Sequence, residues 1–319
     1  MKGIYIFSIC LLFLCSSLFP VFSMGKVDDS TPEVLPNVLE TPAVFGDSFR
    51  VLREDSGKIE VIDSYYYLCG VVAAEMPASY ETEALKAQAV AAYTFACYRR
   101  ETRQNKEYDV TDTTSDQAYI SPDEQKEKWG DDYEEYSQKI AAAVESVKGQ
   151  LLTFEGKTIL AAYHSISGGK TEAASNVWGD GYPYLQSVES VGDVLSPNYL
   201  NVYEFSEDEI KSALSDKGVE FSGSAKDWFK DKKTSDSGTV LSITVCNKEF
   251  TGKEMRTALG LKSANFDVSF ADGKFTFTVR GYGHGMGMSQ YGANFMALQG
   301  SSYKDILNWY YPNATLQSI

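Results

Sequence analysis

Three side chains in this sequence have the type and setting to do chemistry: Glu75, His164 and His284. Glu75 closes the apolar run CGVVAAEMP (69–77), just ahead of Pro77. On a helix, Leu68, Val71 and Val72 precede it by seven, four and three residues and share its face. A desolvated glutamate is pushed toward a raised pKa, which suits a general acid near neutral pH. A glutamate that merely frays into solvent before the proline has the same pattern, and periodicity alone leaves both readings open. The two histidines are the only ones in the chain. His164 lies in YHSISGGKT and His284 in GYGHGMGMSQYG, each after an expected strand and before Gly- and Ser-rich backbone. Loops of this kind carry function, so the pair points to a shared site.

Other chemistries fit these loops poorly. SGGKT resembles the end of a phosphate-binding loop, but the position five before Gly169 is His164 rather than glycine. The run Gly281, Gly283, Gly285, Gly287 never satisfies G-x-G-x-x-G, because Met286, Met288 and Gln290 occupy the third-glycine positions. A structural zinc needs three or four ligands, whereas neither histidine has a cysteine nearby and no HExxH occurs. No G-x-S-x-G elbow accompanies Ser165.

The elements that must position these groups follow from pattern. Residues 49–54 and 58–62 predict a hairpin turning at Asp55-Ser56-Gly57, and 64–76 a short helix that Pro77 ends. A long helix is expected from about Ser79 or Tyr80 to Arg100, with Ser79 as N-cap and Leu85, Ala89, Ala92 and Ala96 forming a small-residue face. Residues 123–147 predict one or two charged helices whose Asp131, Asp132, Glu134 and Glu135 form a solvated face. A second hairpin is expected over 151–164, turning at Glu155-Gly156. KFTFTVRG (274–281) alternates as a strand, and a helix is expected over 289–299. Strands and helices mix without a regular βαβ period, so the fold class is α+β, with helices and strands around a substrate cleft.

The 319 residues are enough for a sizeable core, and their net charge of −15 argues against a nucleic-acid partner. Residues 1–23 hold an apolar stretch from Ile4 to about Phe22 behind a single Lys2, a membrane-spanning signal anchor or a signal peptide. No A-x-A site precedes Met24, which favours the anchor, and Leu14 before Cys15 argues against lipidation. Residues 24–45, with Pro32, Pro36 and Pro42, form a polar tether. Residues 46–319 are the catalytic domain, with 190–262 a less distinctive α/β insert. Cys69, Cys97 and Cys246 are widely spaced and odd in number, so they suggest small buried hydrophobes rather than a disulfide framework.

YLCGVVAAEMP, EALKAQAVAAYTFA, TDTTSDQAY, YHSISGGKTE, VWG, YPYL and RGYGHGMGMSQYGA, in that order, resemble the stage II sporulation protein D family. Its members are peptidoglycan lytic transglycosylases and their amidase-enhancer relatives. The likeness runs from about Phe49 to Tyr311. It implies a single-pass membrane protein with its catalytic domain outside the cytoplasm. That domain would cleave glycan strands between N-acetylmuramic acid and N-acetylglucosamine and leave 1,6-anhydro ends. It also implies strands already stripped of stem peptides by a partner amidase, and membrane-protein partners of the engulfment machinery. The alternative it implies is a noncatalytic peptidoglycan-binding scaffold that stimulates an amidase.

The family's catalytic glutamate falls on Glu75. The expected cleft lining is Lys86, Gln88, Gln117, Tyr119, His164, Ser165, Ser167, Gly168 and Gly169. Tyr282, Gly283, His284, Gly285, Met286, Ser289, Gln290 and Tyr291 complete it, with Tyr282 or Tyr291 stacking on a sugar ring. The chain departs from the pattern at Tyr93, where members often have arginine. It departs again at Val110, Ser115 and Asp116, which stand where some members place zinc-binding Cys and His, so no metal and no cofactor is expected.

Overall fold

The structure is a computed structural model and describes residues 47–179 and 181–318; the expected anchor and tether lie outside them. The chain opens with the antiparallel hairpin β1 (Ser48–Arg53) and β2 (Lys58–Asp63), turning where Gly57 takes φ +69°. Helix α1 (Ser64–Glu75) follows, with the Asp63 carboxylate accepting from the Tyr65 N–H as its cap. It ends as expected before Pro77, where Met76 turns extended and the residue preceding a proline is barred from helix.

Helix α2 (Thr82–Thr102) starts later than its sequence predicts. Its N-cap is Glu81, not Ser79, and the Glu81 N–H donates to Asn294 Oδ1 at 2.8 Å instead of turning into the helix. A tertiary contact thus sets this end. The expected small-residue face of α2, Leu85, Ala89, Ala92 and Ala96, is buried, as are Ala84, Ala87 and Ala91, so α1 and later helices approach its backbone closely. Next come β3 (Val110–Thr111), which joins β1 in parallel, then α3 (Pro122–Trp129) and α4 (Tyr133–Ser146). Ser121 and Glu124 form a reciprocal capping box at the start of α3. The charged region is therefore two helices, and Asp131, Asp132, Glu134 and Glu135 all face solvent.

The second hairpin, β4 (Gln150–Phe154) and β5 (Lys157–Thr158), turns at Glu155 and Gly156, both with positive φ. Strand β6 (Tyr163–His164) begins the first histidine loop. Beyond the 3-10 turn Val191–Leu195 come β7 (Leu200–Ser206), α5 (Glu207–Ala213), β8 (Phe229–Thr234), β9 (Val240–Val245), β10 (Lys248–Phe250) and α6 (Gly252–Leu259). The sheet order β10-β9-β8 is followed in the chain by β11 (Phe266–Ala271) and β12 (Lys274–Arg280), which join β7 in the order β11-β12-β7. Strand β13 (Met288–Ser289) pairs in parallel with β6 and leads into α7 (Gln290–Leu298). Helix α8 (Tyr303–Tyr310) and β14 (Thr315–Ser318), the latter paired with β4, close the chain.

Two apolar cores result. One joins α1, α2, α4, β4 and the C-terminal helices; the other runs from Ile210 to Val279 and is rich in aromatic rings, with Trp228 stacked on Phe275 and Phe277 edge-on to Phe229. The fold is thus mixed α+β built from several small sheets, as the pattern predicts. Among the described residues no helix is long and apolar enough to cross a membrane.

One turn is set by backbone crowding. Gly287 sits at φ +69°, and a Cβ there would lie 1.9 Å from the Ala162 carbonyl oxygen, in the β6–β13 contact. Gly287→Ala is therefore expected to lose more than about 2 kcal/mol of stability. Chemical denaturation would read this directly, and a variant as stable as the parent would contradict the close approach.

Candidate active site

Glu75 occupies the last turn of α1, above the fully buried Val71 and Val72. One carboxylate oxygen accepts from the Ala118 backbone N–H at 2.8 Å and the other from Gln290 Nε2 at 3.2 Å. Burial raises its pKa above the ordinary carboxylate value, and this outweighs the two hydrogen bonds and Lys128, which favour the ionised form. The carboxyl also stands at the negative end of a helix dipole, which adds to the cost of charging it. Lys128 reaches this end of α1 by donating from Nζ to the Ala73 carbonyl at 2.8 Å.

The Ala118 N–H is placed by a braced segment. Arg50 binds Asp109 at 2.7 Å, and Asp116 is held by Arg99 and Arg103 while accepting from the Thr111 N–H. Behind Ala118, the buried Gln117 links two phenols: its Nε2 donates to the Tyr67 hydroxyl at 2.7 Å, and its Oε1 accepts from Tyr163 at 2.8 Å. Both phenols are held well above their ordinary pKa by burial, and each feels the Glu75 charge. They remain neutral throughout the physiological range.

The two glycine-rich loops interleave. Parallel pairing sets Met288 beside Tyr163 and Ser289 beside His164, and Ile166 bridges Tyr282. The Met286 backbone grips both imidazoles: its carbonyl lies 3.1 Å from His164 Nδ1, and its N–H donates to His284 Nδ1 at 3.1 Å. A carbonyl only accepts, so the His164 proton sits on Nδ1, whereas His284 must carry its own on Nε2. The ring centroids are 5.6 Å apart.

Burial, reinforced by mutual repulsion, lowers His164 to about 3. Burial and Arg256 lower His284 to about 4. Neither ring is a cation near neutrality. An unfolded chain protonates them near 6.5, so their neutral burial stabilises the fold fully above that pH, and the stability is lost as pH falls toward 4 and 3. His164→Asn, which keeps a donor toward Met286, is expected to flatten the fall in melting temperature between pH 6.5 and 4; an unchanged slope would contradict the neutral, buried ring.

Of the residues expected from sequence to line a cleft, Gln290 reaches Glu75 directly, and Gln117 and Tyr119 flank the N–H that does. Tyr119 itself is buried, stacked on Tyr67 with centroids 5.7 Å apart, and Gln88 is buried beside Tyr163. Lys86 is drawn elsewhere: it pairs with Glu83 at 2.7 Å and lies over the Tyr303 ring. Tyr282 is exposed, with Lys262 over its ring, while Tyr291 donates to the Leu195 carbonyl and meets Tyr80 edge-on. Ser165 accepts at its carbonyl from the Tyr291 N–H, and Gly283 and Gly285 take positive φ between the two loops. Tyr93 packs edge-on to Phe49 in the core, apart from the partners of Glu75. Val110 is a buried strand residue and Asp116 is occupied by two arginines, a poor pair of metal ligands.

Two buried acids were not found from sequence. Asp193 accepts from the Ser167 N–H at 2.8 Å, from the Ser167 hydroxyl and from Ser289 at 2.7 Å, pinning the first loop and the start of α7 together. Glu172 accepts from Asn176 at 2.7 Å and from Ser235 and Ser237. Asp193 is one acid among 44 with no motif around it, whereas Glu172 ends the YHSISGGKTE motif and could have been singled out there.

The family model described as "Stage II sporulation protein" matches residues 53–154, which span Glu75 and the segment bearing Ala118. "Stage II sporulation protein D" of Bacillus amyloliquefaciens is 40% identical over 281 residues, covering 86% of this chain and 79% of that protein. Its counterpart in Bacillus subtilis (strain 168) is 40% identical over 270 residues, covering 83% and 77%. "Amidase enhancer" of Bacillus subtilis (strain 168) is 32% identical over 302 residues, 79% of this chain but 40% of that protein. With identity at this level over most of both chains, joined to the motifs that build the Glu75 site, the chain belongs to the stage II sporulation protein D family.

Proposed function

We propose that this chain is a lytic transglycosylase that cuts peptidoglycan glycan strands, stripped of stem peptides, during sporulation. The observation that carries the reading is Glu75: a half-buried carboxyl with raised pKa, gripped by two neutral donors, on which no second carboxylate acts among the described residues. Hydrolysis by paired acids needs a partner carboxylate to activate water or attack the sugar. A single acid suffices when the nucleophile is the C6 hydroxyl of the same muramic sugar. Glu75 then protonates the glycosidic oxygen as the C1–O bond breaks. As a carboxylate it takes the proton of the C6 hydroxyl, whose oxygen bonds to C1, and the acid is regenerated. Gln290 and the Ala118 N–H hold the carboxyl in place through both proton positions. Residues 46–319 act as the working unit, on an extracytoplasmic face of the cell membrane.

The test is to digest peptide-free glycan strands and weigh the products. A 1,6-anhydro end is one water lighter than a reducing end, so reducing ends would indicate a hydrolase. A second reading, a scaffold that stimulates a cell-wall amidase, is favoured by the name of the amidase-enhancer relative and by Tyr93 in place of arginine. It predicts amidase stimulation without anhydro products, whichever residue stands at position 75.

A further inference from the structure

A cavity of about 500 Å³ whose lining does not include Glu75 is bounded in part by Tyr163, whose hydroxyl reaches Gln117 beside Ala118. That volume suits a small ligand or a sugar unit. Its wall includes Trp178, His284, Arg99, Lys253 and Arg256, a cationic surface in a chain of net charge −15. Asp116 on the same wall is already held by Arg99 and Arg103. Arg256 differs: its Nε donates to the Leu261 carbonyl at 3.3 Å, and no carboxylate among the described residues pairs with it. A half-buried guanidinium without a counterion is a place for an anion, and its planar fork matches a carboxylate. Trp178, 38% exposed with its ring 5.5 Å from that of His284, offers an aromatic face on which a sugar ring can lie.

We propose that this cavity is a specificity subsite for a sugar acid, in which Arg256 binds the lactyl carboxylate of a muramic residue while its ring rests on Trp178. The assignment deepens the glycan-cleavage reading and rests on it. Removing a stem peptide hydrolyses the amide at the lactyl group and leaves a free carboxylate. Arg256 therefore distinguishes a stripped sugar from one still carrying peptide, where that charge is missing and the amide is bulkier. The subsite gives the chain a chemical means of acting only after an amidase has acted.

Binding can be measured without any cleavage. The full chain is titrated with N-acetylmuramic acid, with its lactyl methyl ester and with N-acetylglucosamine. The acid is expected to bind at least about tenfold more tightly than the ester. Arg256→Gln should erase that preference, Arg256→Lys should keep part of it, and Trp178→Ala should weaken all the sugars together. Equal affinity of the unsubstituted chain for acid and ester would overturn the subsite, as would an Arg256→Gln chain as selective as its parent. The ester comparison needs no variant, so a misfolded substitution cannot mask the answer. A chain that cuts glycan but ignores the carboxylate loses the subsite alone; one that selects the acid and cuts nothing loses the enzyme reading alone.

Discussion

Glu75→Gln is expected to lower the release of 1,6-anhydro fragments by about 10²–10⁴-fold, the usual range for losing a positioned acid. The amide keeps an oxygen for the Ala118 N–H, so the loss falls on proton transfer rather than on assembly of the site. The same substitution is expected to stabilise the protein at neutral pH. Burial raises the folded-state pKa of Glu75, so the folded chain retains a proton that the unfolded chain has already lost. The stability this contributes is fully present below the ordinary carboxylate pKa of the unfolded chain and is lost as pH rises through the raised one. Glutamine removes that dependence. On the glycan-cleavage reading, activity of the unsubstituted chain should decline over the same interval as the acid ionises. Undiminished release by Glu75→Gln would remove this residue from the mechanism, and a variant markedly less stable at neutral pH would contradict the cost of burying the charge.

Asp193→Ala is expected to destabilise the chain by about 3–5 kcal/mol, because it orphans a buried backbone N–H and two buried hydroxyls at once. For a chain of this size that corresponds to a fall in melting temperature of roughly 5–9 °C. Asp193→Asn, which retains one acceptor, should lose less. Burial also raises the Asp193 pKa, so its contribution to stability has the same pH direction as that of Glu75 and opposes that of the two histidines. A melting curve unmoved by Asp193→Ala would mean that Ser167 and Ser289 find other partners.

The parts of the fold legible in the sequence were those written locally. The turn at Glu155-Gly156, the stop before Pro77 and the alternation of β12 depend on neighbours in the chain, and the structure has them where pattern puts them. The start of α2 was not legible, because Asn294 sets it from across the fold. The site divides the same way. Glu75 stood out because its own helix supplies an apolar face, and the glycine-rich loops stood out by composition. Lys128, whose charge acts on Glu75, is one lysine of the charged 123–147 region with no signal of its own, and only tertiary packing carries its ammonium group to the Ala73 carbonyl. Gln88 and Lys86 share a helix and a motif with buried residues, yet one points into the core and the other to Glu83. Spacing could not separate them.

Glu75 receives one of its two hydrogen bonds from a residue 215 positions downstream, and the Gln290 that gives it lies in the first turn of α7, which also caps the crossing of the two loops. A contact of that separation is among the slowest for a chain to make. The Glu75 carboxyl therefore lacks one of its two hydrogen bonds in any chain whose last thirty or so residues have yet to emerge or fold. For a protein that would cut the wall outside the cell, the order of synthesis itself acts as a safety catch. On the glycan-cleavage reading, a chain truncated before α7 is expected to be inactive, because the Gln290 bond to Glu75 forms only with the final helices.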